Sequence, residues 1–210
     1  MKSNLLPIAS AGFKYIAFAA LAFIVLTVFD LDFLAFISFV ILLLLAFVYR
    51  NPEREILSFE ANNLLSPVDG SVISIQEIQG EKYAYKVEIK SNYFDVAILR
   101  APFDATLETL TLKRGARLAE NSLLQKEINE NVELTFVDTH ANSIKLKHQL
   151  SRSFDSLHID INASQNIRQS SRYGLMITGI TTLYLPQNFR VNVALGNKLK
   201  ASQSLIGYFC

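Results

Sequence analysis

Two apolar runs open the chain, Tyr15 to Phe29 and Phe33 to Tyr49, and neither contains a charged residue. At about 1.5 Å of rise per residue, the second run covers roughly 25 Å as a helix, the short end of what a bilayer core requires. Only Asp30, Leu31 and Asp32 separate the runs, while Lys2 and Lys14 precede them and Arg50 and Arg54 follow. The pattern predicts a two-helix transmembrane hairpin over residues 1–50. Positive charge at both outer ends places those ends, and everything from residue 51 to 210, on the cytoplasmic side of an inner or cytoplasmic membrane. A cleaved signal peptide fits less well, because no Ala-x-Ala-like site precedes a polar start and a second apolar run follows at once.

From Asn51 the texture changes to short alternating segments divided by Gly, Pro, Asn and Asp, the signature of strands and turns. Ser71 to Ile75, Tyr83 to Ile89, Tyr93 to Leu99, Val132 to Val137, Ile144 to Leu150 and Leu157 to Ile161 read as strands. Leu183 to Leu185, Phe189 to Ala194 and Leu205 to Phe209 read as closing strands, with Pro186 and Gly196-Asn197 at turns. Ala116 to Glu130 is polar, with Leu118, Leu123, Leu124 and Ile128 at roughly helical spacing, and reads equally as a short helix or a loop. The expected class is α+β, mainly β: a helical hairpin followed by one β-rich sandwich or barrel-hybrid domain.

Composition narrows the functions. The chain has 210 residues, half of them apolar, and Lys plus Arg exceed Asp plus Glu by 20 to 19, so no broad positive surface for nucleic acid is present. The single cysteine, Cys210, allows neither an internal disulfide nor a thiolate cluster. No HxH or HExxH spacing occurs, and no metal site is expected. His140 falls in a turn, while His148 and His158 fall in strands as surface or partly buried residues. Ser66, Ser170 and Ser171 are loop serines without an identifiable base. Arg50 and Arg54 suit contact with lipid headgroups beside the hairpin.

Two turn-rich patches, Ser66-Pro67-Val68-Asp69-Gly70-Ser71-Val72 and Ala194 to Ala201, lie near the start and end of the β-rich part. Together with Arg50-Asn51-Pro52-Glu53-Arg54, Ser91 to Pro102, Tyr173-Gly174-Leu175-Met176, Gly179 and Tyr184-Leu185-Pro186, they form an ordered series across nearly the whole chain. The series resembles the phosphatidylserine decarboxylases in their short, membrane-bound form. The first patch is similar to the family's Pro-x-Asp-Gly motif and residues 50–54 to its Arg-Asn-Pro-x-Arg junction.

The resemblance implies a definite chemistry. Family members cleave themselves at a Gly-Ser step, where the serine, activated by an Asp-His pair, becomes a pyruvoyl group that serves as electron sink for decarboxylation. Asp69 stands at the aspartate position. Ala97 stands where the histidine belongs, and an alanine has no lone pair to accept a hydroxyl proton. In place of Phe-Gly-Ser-Arg-Val-Asp the chain has Thr178-Gly179-Ile180-Thr181-Thr182-Leu183, one residue shorter between Gly174 and Pro186. Aligned from the left, the serine becomes Ile180; aligned from the right, it becomes Gly179. Thr181 is the weak candidate for an alternative nucleophile.

Three readings follow. A degenerate relative, a pseudoenzyme of phospholipid metabolism with no pyruvoyl cofactor, would bind or regulate rather than transform; its partners would be membrane lipids, phosphatidylserine among them. An active phosphatidylserine decarboxylase would need a different processing site to yield phosphatidylethanolamine. A lipoyl-like or membrane-fusion adaptor would need a lysine at a hairpin tip, and neither Lys86 nor Lys90 is flanked by such a turn. Homo-oligomer formation is compatible with all three.

Overall fold

The computed structural model describes residues 6–54, 62–79, 82–120, 122 and 124–210. It divides into two compact units, Met1–Glu53 and Arg54–Cys210. The first is helical. A single 3-10 turn at Ser10–Gly12 leads into α1 (Phe13–Val28), which pairs with α2 (Asp32–Val48). The reversal between them is made by Asp30 at a φ of 52°, a left-handed conformation that Asp tolerates better than most residues. Ser38 Oγ donates to the carbonyl of Ala19 at 3.1 Å, and the Phe23 and Phe39 rings meet at 5.6 Å. The outer faces carry exposed Phe18, Phe29, Phe33 and Phe36. Ser10–Val28 is long and apolar enough to cross a membrane by length and composition, whereas Asp32–Val48 is a shorter apolar helix.

The second unit is built almost wholly of antiparallel strands. Its first half comprises β1 (Asn63–Leu65), β2 (Gly70–Glu77), β3 (Tyr85–Ser91), β4 (Ile98–Arg100), β5 (Ala105–Lys113), the single turn α3 (Gln125–Ile128), β6 (Asn131–Val137) and β7 (Ser143–Leu150). The second half comprises β8 (His158–Ile159), β9 (Asn166–Ile167), β10 (Arg172–Leu175), β11 (Gly179–Leu185), β12 (Phe189–Val191), β13 (Lys198–Leu199) and β14 (Leu205–Phe209). Eight strands form one sheet in the order β13-β2-β3-β11-β7-β6-β5-β9, and two three-stranded sheets have the orders β1-β14-β12 and β4-β10-β8. The large sheet is open, with β13 and β9 at its edges among the described residues, and not a closed barrel.

Side-chain alternation explains the core. In β6 the inward positions are Val132, Leu134 and Phe136; in β7, Ile144, Leu146, His148 and Leu150; in β3, Val87 and Ile89; in β11, Leu183 and Leu185. Their registers bring Leu134, Leu146, Leu183 and Val87 into one row across four strands, a continuous apolar layer. The outward positions carry Glu133, Lys145 and Lys147, which pair with one another at 2.7 and 3.3 Å.

The structure departs from the sequence pattern at several places. Of the apolar run Tyr93 to Leu99, only the end enters a strand. Asn92–Asp95 is a turn, closed by a bond from the Asp95 amide to the Asn92 carbonyl (2.9 Å) and one from the Asn92 amide to the Asp95 carboxylate (2.8 Å). The nine-residue β5 has no counterpart among the expected strands, because a register shift between Leu107 and Thr109 breaks its alternation. Ala116 to Glu130 is mostly loop, fastened by Asn129, whose side chain bonds both the amide and the carbonyl of Leu118 at 2.9 Å. Leu123 of that segment lies outside the described residues. At the last turn Gly196 takes a φ of +81°, as Gly-Asn suggests. Lys86 and Lys90 lie inside β3, so neither occupies the tip that a lipoyl-like domain would use.

Candidate functional site

Asp69 sits at the end of the Pro-Val-Asp turn, immediately before β2, and three other segments converge on its carboxylate. Arg54 approaches with both terminal nitrogens, Nη1 to Oδ1 and Nη2 to Oδ2, each at 2.6 Å. The Ala201 amide donates to Oδ1 at 2.8 Å and the Val96 amide to Oδ2 at 3.4 Å. Arg54 also donates to the Ala201 carbonyl at 2.7 Å. Both side chains of the pair are nine-tenths buried or more. A fork-to-fork pair of this kind fixes direction as well as charge.

The Arg54 guanidinium, expected at lipid headgroups, is here engaged by Asp69 and the Ala201 carbonyl. Arg50, by contrast, stays in the helical unit, where Nη1 donates to the Phe47 carbonyl at 2.9 Å and the guanidinium lies 4.0 Å from the Phe47 ring centre.

Hydrogen bonds link the Asp69 turn to the segment that matches the cleavage motif. Ser91 Oγ donates to the Asp69 carbonyl at 2.5 Å, and Thr178 Oγ1 donates to the Ser91 carbonyl at 3.1 Å. Gly179 pairs with Ser91 on one side and Leu150 on the other. Ala97 is buried one residue beyond Val96, and its carbonyl accepts the Met176 amide at 2.8 Å. The fold thus gathers Asp69, Ala97 and the Gly179-Ile180 step into one neighbourhood, as the resemblance implies.

Steric space differs between the two residues of this step. A Cβ added at Gly179 would stand 2.2 Å from the Gln149 carbonyl oxygen, so any side chain there collides with the backbone of β7. Of the two residues that the resemblance sets at the serine position, Gly179 and Ile180, only position 180 has room for a side chain. Ile180 has no hydroxyl to attack a carbonyl or to be eliminated. Neither Gly179 nor Ile180 is the serine from which the family's pyruvoyl group derives.

Thr181 finds an unexpected partner. His148 Nδ1 lies 2.8 Å from Thr181 Oγ1, and His148 Nε2 lies 2.6 Å from the hydroxyl of Tyr173. All three residues are fully buried. Burial holds the imidazole down at about 3 and pushes the Tyr173 phenol up. A neutral imidazole offers one N–H and one lone pair, so one hydroxyl donates to the ring and the other accepts from it. The cluster joins the large sheet to the β4-β10-β8 sheet. Thr181 is on the row of Ile89 and Val72, two strands across and three residues along from Asp69, or about 14 Å at usual strand spacings.

Arg54 as the partner of Asp69 is invisible in the sequence, since nothing in two separate motifs says that they touch. His148 is legible in principle: it shares the inward phase of Ile144, Leu146 and Leu150. His140 is exposed in the Asp138–Asn142 turn, and His158 Nε2 reaches Asp155 at 3.1 Å. Among the described residues no three His, Cys, Asp or Glu side chains are grouped to hold a metal.

Similarity to known proteins agrees with this layout. A family model for phosphatidylserine decarboxylase matches residues 42–207. The chain is 26% identical over 208 residues to the phosphatidylserine decarboxylase proenzyme of Desulfotalea psychrophila, with 96% of each chain covered. The corresponding proenzyme of Pelagibacter ubique is 27% identical over 206 residues, with 95% of each covered, and that of Geotalea uraniireducens 26% over 214, with 99% of each covered. With the match spanning both the Asp69 turn and the Gly179-Ile180 step, the chain belongs to the phosphatidylserine decarboxylase family.

Proposed function

We propose that this chain is a membrane-anchored relative in phospholipid metabolism that retains the family's fold and lipid contact but does not process itself, and so binds serine-headed phospholipid without decarboxylating it. The observation that carries this reading is Ile180 in the serine position, beside a Gly179 whose surroundings admit no side chain. Ala97 supports it independently, because the proton acceptor is missing as well. The Arg54 pair supports it further: Asp69 keeps a role in holding three loops together after any catalytic partner is gone. The apolar helices supply the anchor, as a two-span hairpin with the β-rich unit on the cytoplasmic side.

Intact mass of the full chain purified in detergent tests the reading. A single species near 23.6 kDa that binds phosphatidylserine in nanodiscs and releases no carbon dioxide is the expected result. Fragments divided before residue 180, or release of carbon dioxide, would overturn it.

The 2.8 Å contact between His148 and Thr181 favours a second reading, in which Thr181 attacks the Ile180 carbonyl and the chain divides into 1–180 and 181–210. Against it stand the full burial of Thr181, its regular pairing with Ile89 and His148, and an imidazole too weakly basic to activate a hydroxyl at neutral pH. The same mass measurement separates the two by the position of the break.

A further inference from the structure

The turn that delivers the Val96 amide to Asp69 also carries the most exposed aromatic residue of the β-rich unit among the described residues. Phe94 is 82% exposed, and its neighbour Tyr93 stacks on Phe154 with the rings 6.1 Å apart and 4° from parallel. Tyr93 Oη donates to the Arg152 carbonyl at 2.5 Å, which fixes the stack in place. Phe154 is itself 46% exposed. Arg152, whose carbonyl takes the bond from Tyr93, has a φ of 48°, is exposed and is paired with no carboxylate among the described residues.

Exposed rings on a hydrogen-bonded turn, tied to the backbone of an exposed arginine, have the composition of a surface that settles at the membrane interface. Aromatic bodies are favoured at headgroup depth, and an arginine meets lipid phosphate. Ordinary solvent-facing loops do not hold a phenylalanine in this way: here a turn closed by the Asp95 carboxylate and a hydrogen-bonded ring stack keep it presented. Anchoring of the helical unit would hold the β-rich unit at high effective concentration near the same bilayer, since the two follow one another directly in the chain, dividing between Glu53 and Arg54.

We infer that Phe94, Tyr93, Phe154 and Arg152 form a docking surface for an anionic phospholipid bilayer, which brings the Asp69 turn to headgroup depth. The inference rests on the membrane-anchored reading above and adds to it the face that meets the lipid. Through the bond from Val96 to Asp69, seating Phe94 also positions the loop that borders the candidate site.

The chain contains no tryptophan, so a single one introduced at a chosen position reports alone. Phe94→Trp and, as a control at the exposed Asp138–Asn142 turn, His140→Trp would each be made in the full chain and placed in nanodiscs of phosphatidylglycerol containing brominated acyl chains. The expected result is a blue-shifted emission at position 94 that is strongly quenched, and an unshifted, unquenched emission at 140. Adding Arg152→Glu to the Phe94 variant should reduce the quenching in phosphatidylglycerol discs more than in phosphatidylcholine discs. Equal quenching at 94 and 140, or a blue shift at 94 without quenching, which points to a protein occupant, would overturn the inference. If the protein fails to enter nanodiscs at all, the anchored reading fails first, and the two failures are thereby distinguished.

Discussion

Arg54 closes on Asp69 through two parallel N–H···O bonds of 2.6 Å, and the carboxylate so held also receives the amides of Val96 and Ala201. The pair joins the start of the β-rich unit to the Asp69, Val96 and Ala201 loops. Removing one partner leaves the other charge nearly buried with only backbone groups to meet it, and breaking a buried pair typically costs about 3 to 5 kcal/mol. Arg54→Met and Asp69→Leu are each expected to lower the unfolding midpoint markedly in detergent. The double variant should lose less than the sum of the two, and the double-mutant cycle in denaturant measures that difference.

The His148 cluster makes the fold sensitive to acid. Its imidazole titrates at about 3 in the native state but near the ordinary 6.5 once unfolded, so between those values the unfolded chain binds a proton that the native chain does not. Stability therefore rises with pH across that window, by about 1.4 kcal/mol per unit, and about 2 kcal/mol is lost on going from pH 6.5 to 5. Glu133, held below its usual range first by the hydrogen bond from Lys145, adds a loss in the same direction at lower pH, below the ordinary carboxylate value. Tyr173, pushed up by burial, works from the other side: the unfolded phenol ionises first, so stability falls as pH rises past about 10. His148→Gln should flatten the slope between pH 6.5 and 5 and leave, at lower pH, only the share that the carboxylates contribute. Unfolding midpoints measured across pH 4 to 8 check this.

Much of the architecture is legible in the sequence because burial on one face imposes a period of two. β6, β7 and β14 fall within a residue of the segments read from the sequence, and the two helices within two residues of the apolar runs. Where a register shift or a turn interrupts the period, as in β5 or at Asn92–Asp95, the apolar pattern misleads. The neighbourhood of Asp69, Ala97 and Gly179 is legible only through motif order. The Arg54 partner is not, since it depends on a contact between residues in two separate motifs.

Gly179 offers a direct steric test. The Gln149 carbonyl oxygen, 2.2 Å from where a Cβ would stand, is backbone in a central ladder and has little room to withdraw. Gly179→Ala is expected to destabilise the β-rich unit by about 1 to 3 kcal/mol, the usual range for overpacking. Ile180→Ala, whose side chain already has space, should cost less. Thermal unfolding of the two variants side by side gives the comparison, and equal losses would remove the steric basis for placing Ile180 at the serine position.

If loss of processing has two chemical causes, restoring both should restore it and restoring either alone should not. Ile180→Ser supplies a hydroxyl after Gly179, in the only register that the β7 carbonyl permits. Ala97→His supplies an imidazole one residue from the amide that bonds Asp69, where it competes with the weakest of the four contacts on that carboxylate, the 3.4 Å bond from Val96. Because Arg54 keeps both carboxylate oxygens engaged, cleavage in the double variant is expected to be slow and incomplete. Intact mass should show chains 1–179 and 180–210 accumulating over hours in Ala97→His/Ile180→Ser, and only the full-length chain in either single variant. Cleavage in Ile180→Ser alone would mean that a different base, with His148 the nearest histidine along the sheet, serves the step; no cleavage in the double variant would place the defect in the Arg54–Asp69 pair.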